Sequence, residues 1–173
     1  MITFIVRYKQ VKYITQKNII IEQQKKRLQK INEISTVFGI LHSILMPSVG
    51  NFRTNEYPIT HLLSATILII MFNMNVLTTI YLSKCFFDYD LESRPTSMTI
   101  NGIFHTFTNL SLGGSSLIFQ LIENPPSAIL VGEYSQLHNI SAMLQWLSFS
   151  QISFHMICLA NRMRRFSNEI VQK

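Results

Sequence analysis

The stretch His61–Ser83, HLLSATILIIMFNMNVLTTIYLS, decides the fold. It holds no Asp, Glu, Lys or Arg, and the uncharged run containing it extends from Tyr57 to Ser83. A bilayer core about 30 Å thick is crossed by roughly 20 helical residues, so this run predicts a transmembrane helix. Three more runs are equally uncharged: Ile34 to Phe52, Pro95 to Ile122 and Tyr134 to Asn161. They are less hydrophobic, yet long enough or nearly so to cross. Charged residues make up only 14% of the 173-residue chain, against about 25% in a typical soluble domain. Buried core helices of a soluble protein would leave four such runs in so short a chain hard to explain. The expected fold is all-α, a polytopic membrane helix bundle formed by residues 1–173 as a single membrane domain. Its four complete spans fall at about 34–50, 59–82, 98–121 and 136–160. Met1–Val6 (MITFIV) reads as the remnant of an earlier span, being too short for the apolar core of a signal peptide.

Charge sets the expected orientation. Lys and Arg number eight before the first full span, then one, two and none in the successive loops, and four in the tail. Four spans put the first, third and fifth groups on one side, which collects 14 of the 15 basic residues. The positive-inside rule makes that side cytosolic. The cytosolic basic segment is then 7–33, and the cytosolic tail 161–173. Arg7, Lys9, Lys12, Lys25, Lys26 and Arg27 carry much of the segment's charge, and it can lie against an anionic leaflet. The simpler role for these residues is to fix topology. A nucleic-acid partner is not expected of a basic loop tethered to a membrane.

The spans are polar in an ordered way. His138, Ser141, Gln145, Ser148, Gln151 and His155 fall within an arc of roughly 140° at 100° per residue. Asn101, His105, Thr108, Ser111 and Ser115 occupy an arc of roughly 120°. Such faces are costly against lipid and should turn toward other helices. Gly113, Gly114, Ser115 and Ser116 would let helices approach closely. All five histidines lie in the uncharged runs. His61 and His138 sit near non-cytosolic span ends, where they are either neutral packing residues or a proton-sensitive pair.

No catalytic signature is present: no GxSxG, no HExxH, no phosphate-cradling glycine loop and no intramembrane carboxylate pair. No enzyme activity, cofactor or metal is therefore expected. Cys85 and Cys158 form no disulfide or zinc pattern. Cys85, beside Lys84, reads as a reduced small hydrophobe or a juxtamembrane palmitoylation site. Asn139-Ile140-Ser141 and Asn109-Leu110-Ser111 are formal glycosylation sequons placed too near or inside a span to be used.

Several segments resemble the damage-regulated autophagy modulator (DRAM) family. ITFIVRYKQV (Ile2–Val11) looks like the end of that family's second span and the following loop. VFGILHSILMPSVGNF (Val37–Phe52) resembles its third span, which ends in a small-residue turn and Asn-Phe, here Asn51 and Phe52. His61 then stands where the family has a histidine opening its fourth span. In the last run His138 resembles the luminal-end histidine, and Gln145-Trp146 the acidic-Trp pair before a short basic exit, Arg162 to Arg165. The resemblance covers most of the chain in order, with the third span poorly matched. It implies six spans in the full family pattern, so this chain looks like a short form beginning late in the second span. Gln145 replaces the expected Glu, which removes an ionisable group.

The resemblance places the chain in the wider Frag/DRAM/Sfk superfamily (Cwh43 N-terminal-like). It implies a multi-pass, non-catalytic protein regulating autophagy at the lysosomal membrane, with bilayer lipid and unidentified membrane or autophagy proteins as partners. The alternatives are a plasma-membrane scaffold or lipid-organisation regulator, a glycolipid-anchor remodelling factor, or a chemoreceptor fragment.

Overall fold

The computed structural model describes residues 1–16, 20–51, 56–89, 91, 95–114 and 136–171. Within the last helix, the side chains of 136–142, 144, 145, 148 and 165–171 lie outside that description. The regular structure of the described residues is all helical, with no strand among them. The helices are α1 (Ile2–Gln16), α2 (Glu22–Asn51), α3 (Pro58–Asp88), α4 (Thr96–Thr108) and α5 (Gln136–Val171). A π-helical turn, Asn109–Gly113, extends α4.

Two of these helices, α2 and α3, are long and apolar enough to cross a membrane. The helix α2 begins at Glu22, so the basic stretch before the first uncharged run is itself helical and continuous with it. Pro47 lies inside α2, where its missing N–H leaves one carbonyl of the preceding turn without its helical donor. Pro58 opens α3, where a missing N–H costs nothing.

Contacts fix the helix directions. Ser35 meets Thr79 and Asn75, and His42 meets Phe72, so α2 and α3 run antiparallel. Gly102 faces Val76 and Ile80, and His105 meets Phe72, so α4 runs antiparallel to α3. Asn101 pairs with Cys158 and His105 stacks on His155, so α5 runs antiparallel to α4. Helices α2 to α5 therefore alternate up and down. Helix α1 runs antiparallel to α2, with Phe4 at Gly39, Tyr8 at Asn32 and Thr15 at Gln29.

Close approach is built on small residues. Ser35, Gly39 and Ser43 recur every fourth position along α2, a spacing that lets helices pack backbone to backbone. The Phe4 ring lies directly over Gly39. Gly102 serves the same purpose on α4, under Ile80 and Val76. At the basic end, Val11, Ile14, Ile20, Leu28, Leu82 and Phe86 form an apolar plug, with Cys85 packed against it.

The outside of the bundle is apolar, and its interior holds polar side chains beside apolar ones. On α3 the exposed positions are Leu63, Ile67, Ile70, Met74, Leu77 and Tyr81. Buried on the same helix are Asn73, Asn75, Thr79 and Ser83, among the apolar Leu68, Phe72, Val76, Leu82 and Phe86. On α4, Ile100, Ile103, Phe104 and Phe107 face out, while His105, Thr108 and Asn109 face in. Soluble domains bury apolar groups and expose polar ones; this arrangement fits apolar surroundings.

Candidate functional site

A polar seam runs through the interior of the bundle. At the basic end, Arg7 is 4% exposed. Its guanidinium donates to Gln10 Oε1 at 2.8 Å and to Ser83 Oγ at 2.8 Å, joining α1 to α3. Nearby, Asn32 Nδ2 donates to the Tyr8 carbonyl at 3.1 Å. One layer deeper, Asn75 Nδ2 donates to the Ser35 carbonyl at 2.7 Å and reaches Ser35 Oγ at 3.2 Å. Ser35 and Thr79 hydroxyls lie 3.3 Å apart.

The deepest layer gathers three imidazoles around one phenyl ring. Phe72 of α3 has ring-centroid distances of 4.7 Å to His42, 4.8 Å to His105 and 5.9 Å to His155. His105 and His155 stack at 6.4 Å with an interplanar angle of 27°. Each histidine comes from a different helix, and all three are buried. Asn109 Nδ2 lies 2.5 Å from His105 Nε2. The same nitrogen lies 3.2 Å from Nδ1, and since an amide nitrogen only donates, it pairs with whichever ring nitrogen carries no proton.

At the end of the bundle away from the basic segment, a cavity of about 540 Å³ opens beside α2, α3 and α5. Met46, Val49, Gly50, His61, Trp146, Phe149, Ser150 and Ser153 line it. Ser150 and Ser153 donate their hydroxyl protons to carbonyls of their own helix, Trp146 O and Phe149 O. The walls are therefore mostly apolar, with His61 as the ionisable group.

The residues singled out from sequence fall in different places. His61 and Trp146 line this common cavity. Asn51 is exposed at the last position of α2, next to Gly50. Phe52 and the side chains of His138 and Gln145 lie outside the described residues, so the expected His61–His138 pairing lies there too. Trp146 is 73% exposed and points outward, away from the polar face. Lys9, Lys12, Lys26 and Arg27 are exposed and Lys25 half-buried at the basic end. Arg7 leaves that surface, because its position on α1, one turn after Phe4, faces α3 rather than solvent. The inward face expected of the third run is also corrected. Asn101, His105 and Thr108 follow it, but Ser111 is exposed and Asn109 is buried instead. Asn109, four residues after His105, falls on the inward face of a regular helix as well, whereas Ser111 lies at the edge of that face, and a π-turn, which advances less per residue than an α-turn, carries it outward.

The sequence reading missed His42 and the Ser35–Asn75–Thr79 layer. A signal was available. Asn32, Ser35, Gly39 and His42 recur at spacings of three, four and three, and Phe72, Asn75, Thr79 and Ser83 at three, four and four. Both are single-faced helical patterns.

Residues 1–161 match the family model described as the Frag1/DRAM/Sfk1/Cwh43P N-terminal domain. No curated protein and no solved structure matches the chain.

Proposed function

The chain belongs to the Frag1/DRAM/Sfk1/Cwh43P N-terminal domain family, and from that premise we propose that it is a multi-pass membrane protein of the DRAM branch. It regulates autophagy at the lysosomal membrane without catalysis. One observation carries the membrane part of this reading: an apolar coat encloses a polar interior under a family match over residues 1–161. The branch assignment rests on RYKQV, on Asn51-Phe52 followed by His61, and on His138 followed by Gln145-Trp146.

The proposed spans are 34–50, 59–82, 98–121 and 136–160, and α2, α3, α4 with its π-turn, and α5 supply their described residues. The basic end, including segment 7–33 and tail 161–173, faces the cytosol. The partners are bilayer lipid, anionic headgroups at the cytosolic face, and membrane or autophagy proteins. Among the described residues, Lys9, Lys12, Lys26, Arg27, Lys30, Lys84 and Arg164 are exposed cations at the basic end, available to anionic lipid. Each such cation near a charged leaflet is worth about 1 kcal/mol.

A second reading, a glycolipid-anchor remodelling factor, is favoured by the cavity at the opposite end, where His61, Ser150 and Ser153 meet apolar walls. A third, a plasma-membrane scaffold, shares the same family model. Microscopy of the tagged full chain, with autophagic flux measured after its loss, separates them. Lysosomal puncta and altered flux support the first reading. Altered anchor lipids with normal flux support the second, and a surface rim with both unchanged supports the third.

A further inference from the structure

The cavity beside α2, α3 and α5 has a definite depth in the bundle. Met46 lies four residues after His42, and Ser153 two before His155. At about 1.5 Å per residue, its floor is about 3–6 Å above the histidine layer. His61, eleven residues before Phe72, marks its outer end about 16 Å above that layer. Phe72 stands near the middle of the proposed span 59–82, so the cavity runs from near the bilayer midplane toward the interface. One leaflet contributes about 15 Å of hydrocarbon. A cavity about 10–13 Å tall along the helix axes therefore follows the acyl chains through most of that leaflet.

Its walls suit a hydrocarbon chain. None of the described residues lining it is Lys, Arg, Asp or Glu, so no permanent charge awaits a phosphate or an ammonium group. The Ser150 and Ser153 hydroxyl protons are held by carbonyls of their own helix, at 3.0 and 3.3 Å, and are not offered to an occupant. Trp146 and Phe149 meet at 6.4 Å as an aromatic wall. The space is open at Gly50, where a Cβ would meet nothing within 4 Å. Apolar space stays dry and takes apolar ligands, and the volume of about 540 Å³ is that of an ordinary ligand pocket. Trp146, 73% exposed, and Met46, 44% exposed, belong both to this wall and to the apolar outside of the bundle. The cavity is therefore open to lipid from the side.

We propose that this cavity binds one acyl chain of a bilayer phospholipid, from the leaflet at the end of the bundle away from the basic segment. The headgroup stays outside, at the level of His61. The chain enters sideways past Trp146 and Met46 and lies against Val49 and Phe149, held between α2 and α5 rather than against one outer face. Phe149 also packs against the Phe72, Val76 and Ile152 cluster, so the inner end of the chain rests on the layer that holds the histidines. The proposal rests on the membrane reading and on none of the three branches within it.

The test uses the full chain in phosphatidylcholine vesicles, a minor fraction of whose lipid carries a photoreactive diazirine midway along one acyl chain. After irradiation, labelled residues are located by mass spectrometry of the digested protein. Ile67 and Phe107, 41% and 70% exposed, report ordinary lipid contact in the same leaflet. Val49 and Phe149, both half-buried, report the cavity. The expected result is labelling of Val49 and Phe149 at least as strong as that of the two exposed positions. Filling the cavity with Gly50→Phe should reduce it about tenfold, one decade in affinity, and leave Ile67 and Phe107 unchanged. Gly50→Leu replaces that variant if circular dichroism shows it unfolded, and if neither folds the wild-type pattern decides. Strong labelling of Ile67 and Phe107 with little at Val49 and Phe149 overturns the proposal and gives the space to water or to another segment of the chain. Wall labelling that persists in a folded, filled variant overturns it as well. Absence of label at Ile67 and Phe107 sinks the membrane reading itself, and the bound chain with it.

Discussion

Replacing Gly39 with alanine tests whether α1 is seated in the bundle. A Cβ at Gly39 would lie 2.5 Å from Phe4 Cγ, with the two Cδ atoms at 2.6 and 2.8 Å. These are three atoms of one rigid ring, so no single torsion at the tip relieves the clash. The ring has little room to retreat, because Phe4 is buried and the next turn of α1 is tied to α3 through Arg7 and Ser83. Overpacking of this kind costs about 1–3 kcal/mol. Glycine to alanine inside a helix returns about 1 kcal/mol. The net expectation is a loss of about 1 kcal/mol for Gly39→Ala, and more for Gly39→Val. Unfolding in mixed detergent–SDS micelles, followed by circular dichroism, measures it. Gly50→Ala is the internal control, since nothing lies within 4 Å of its Cβ; it should be neutral or slightly stabilising. Phe4→Leu should recover part of the loss in the Gly39→Ala background, with a coupling energy of at least about 0.5 kcal/mol. If Gly39→Ala is as stable as Gly50→Ala, Phe4 does not sit over Gly39 and α1 is misplaced.

Asn75→Ala removes both contacts to Ser35 and should cost about 0.6–1.7 kcal/mol, the range of interhelical hydrogen bonds in membranes; a double-mutant cycle with Ser35→Ala showing no coupling would contradict the layer. Ser83→Ala deprives the buried Arg7 guanidinium of an acceptor and should cost about 1.5–3 kcal/mol, whereas Lys84→Ala, at an exposed neighbouring position, should change stability by less than about 0.5 kcal/mol. Equal effects of the two would move Arg7 out of the interior. Trp146 is the sole tryptophan and points outward, so brominated phospholipids should quench most of its emission in reconstituted vesicles. Emission insensitive to brominated lipid but quenched by aqueous iodide would mean that its face meets water.

The helical class and the inward turn of polar faces were legible because both depend on local periodicity. His105, Thr108 and His155 lie where a 100° step per residue puts them. Register and partners were not legible, because they depend on which faces meet. Nothing local says that His42 stands across Phe72 from His105. Arg7 was read as a topology-setting cation because a Lys/Arg tally treats every cation as solvent-facing. Its burial follows from the Phe4, Arg7, Val11, Ile14 stripe of α1, a stripe visible only if arginine is allowed on it. Ser111 was misplaced because a π-turn shifts helical phase and leaves no composition signature. Of the positions carried by the family resemblance, His61 and Trp146 converge on one cavity although 85 residues separate them in the sequence.

The uneven hydropathy of the four uncharged runs follows from the same division between outer and inner faces. A sliding window averages all faces of a helix, whereas lipid contacts only the outer one. On α4 the outer face is Ile100, Ile103, Phe104 and Phe107, and the inner face is Met98, Gly102, His105 and Thr108. The outer face alone is as apolar as that of α3, yet the average is diluted by residues that meet other helices. Polar side chains in such an interior are retained because apolar packing gives no net drive between helices already surrounded by hydrocarbon. Shape and hydrogen bonds must supply the association, and here both are concentrated along one line: Gly39 under Phe4, Ser35 with Asn75, Phe72 among three histidines. Phe149 joins that line to the outer cavity, since it lines the cavity and also packs against the Phe72, Val76 and Ile152 cluster. Trp146 meets Phe149 ring to edge, so the outer cavity and the histidine layer share a continuous packed path through Phe149 and Phe72.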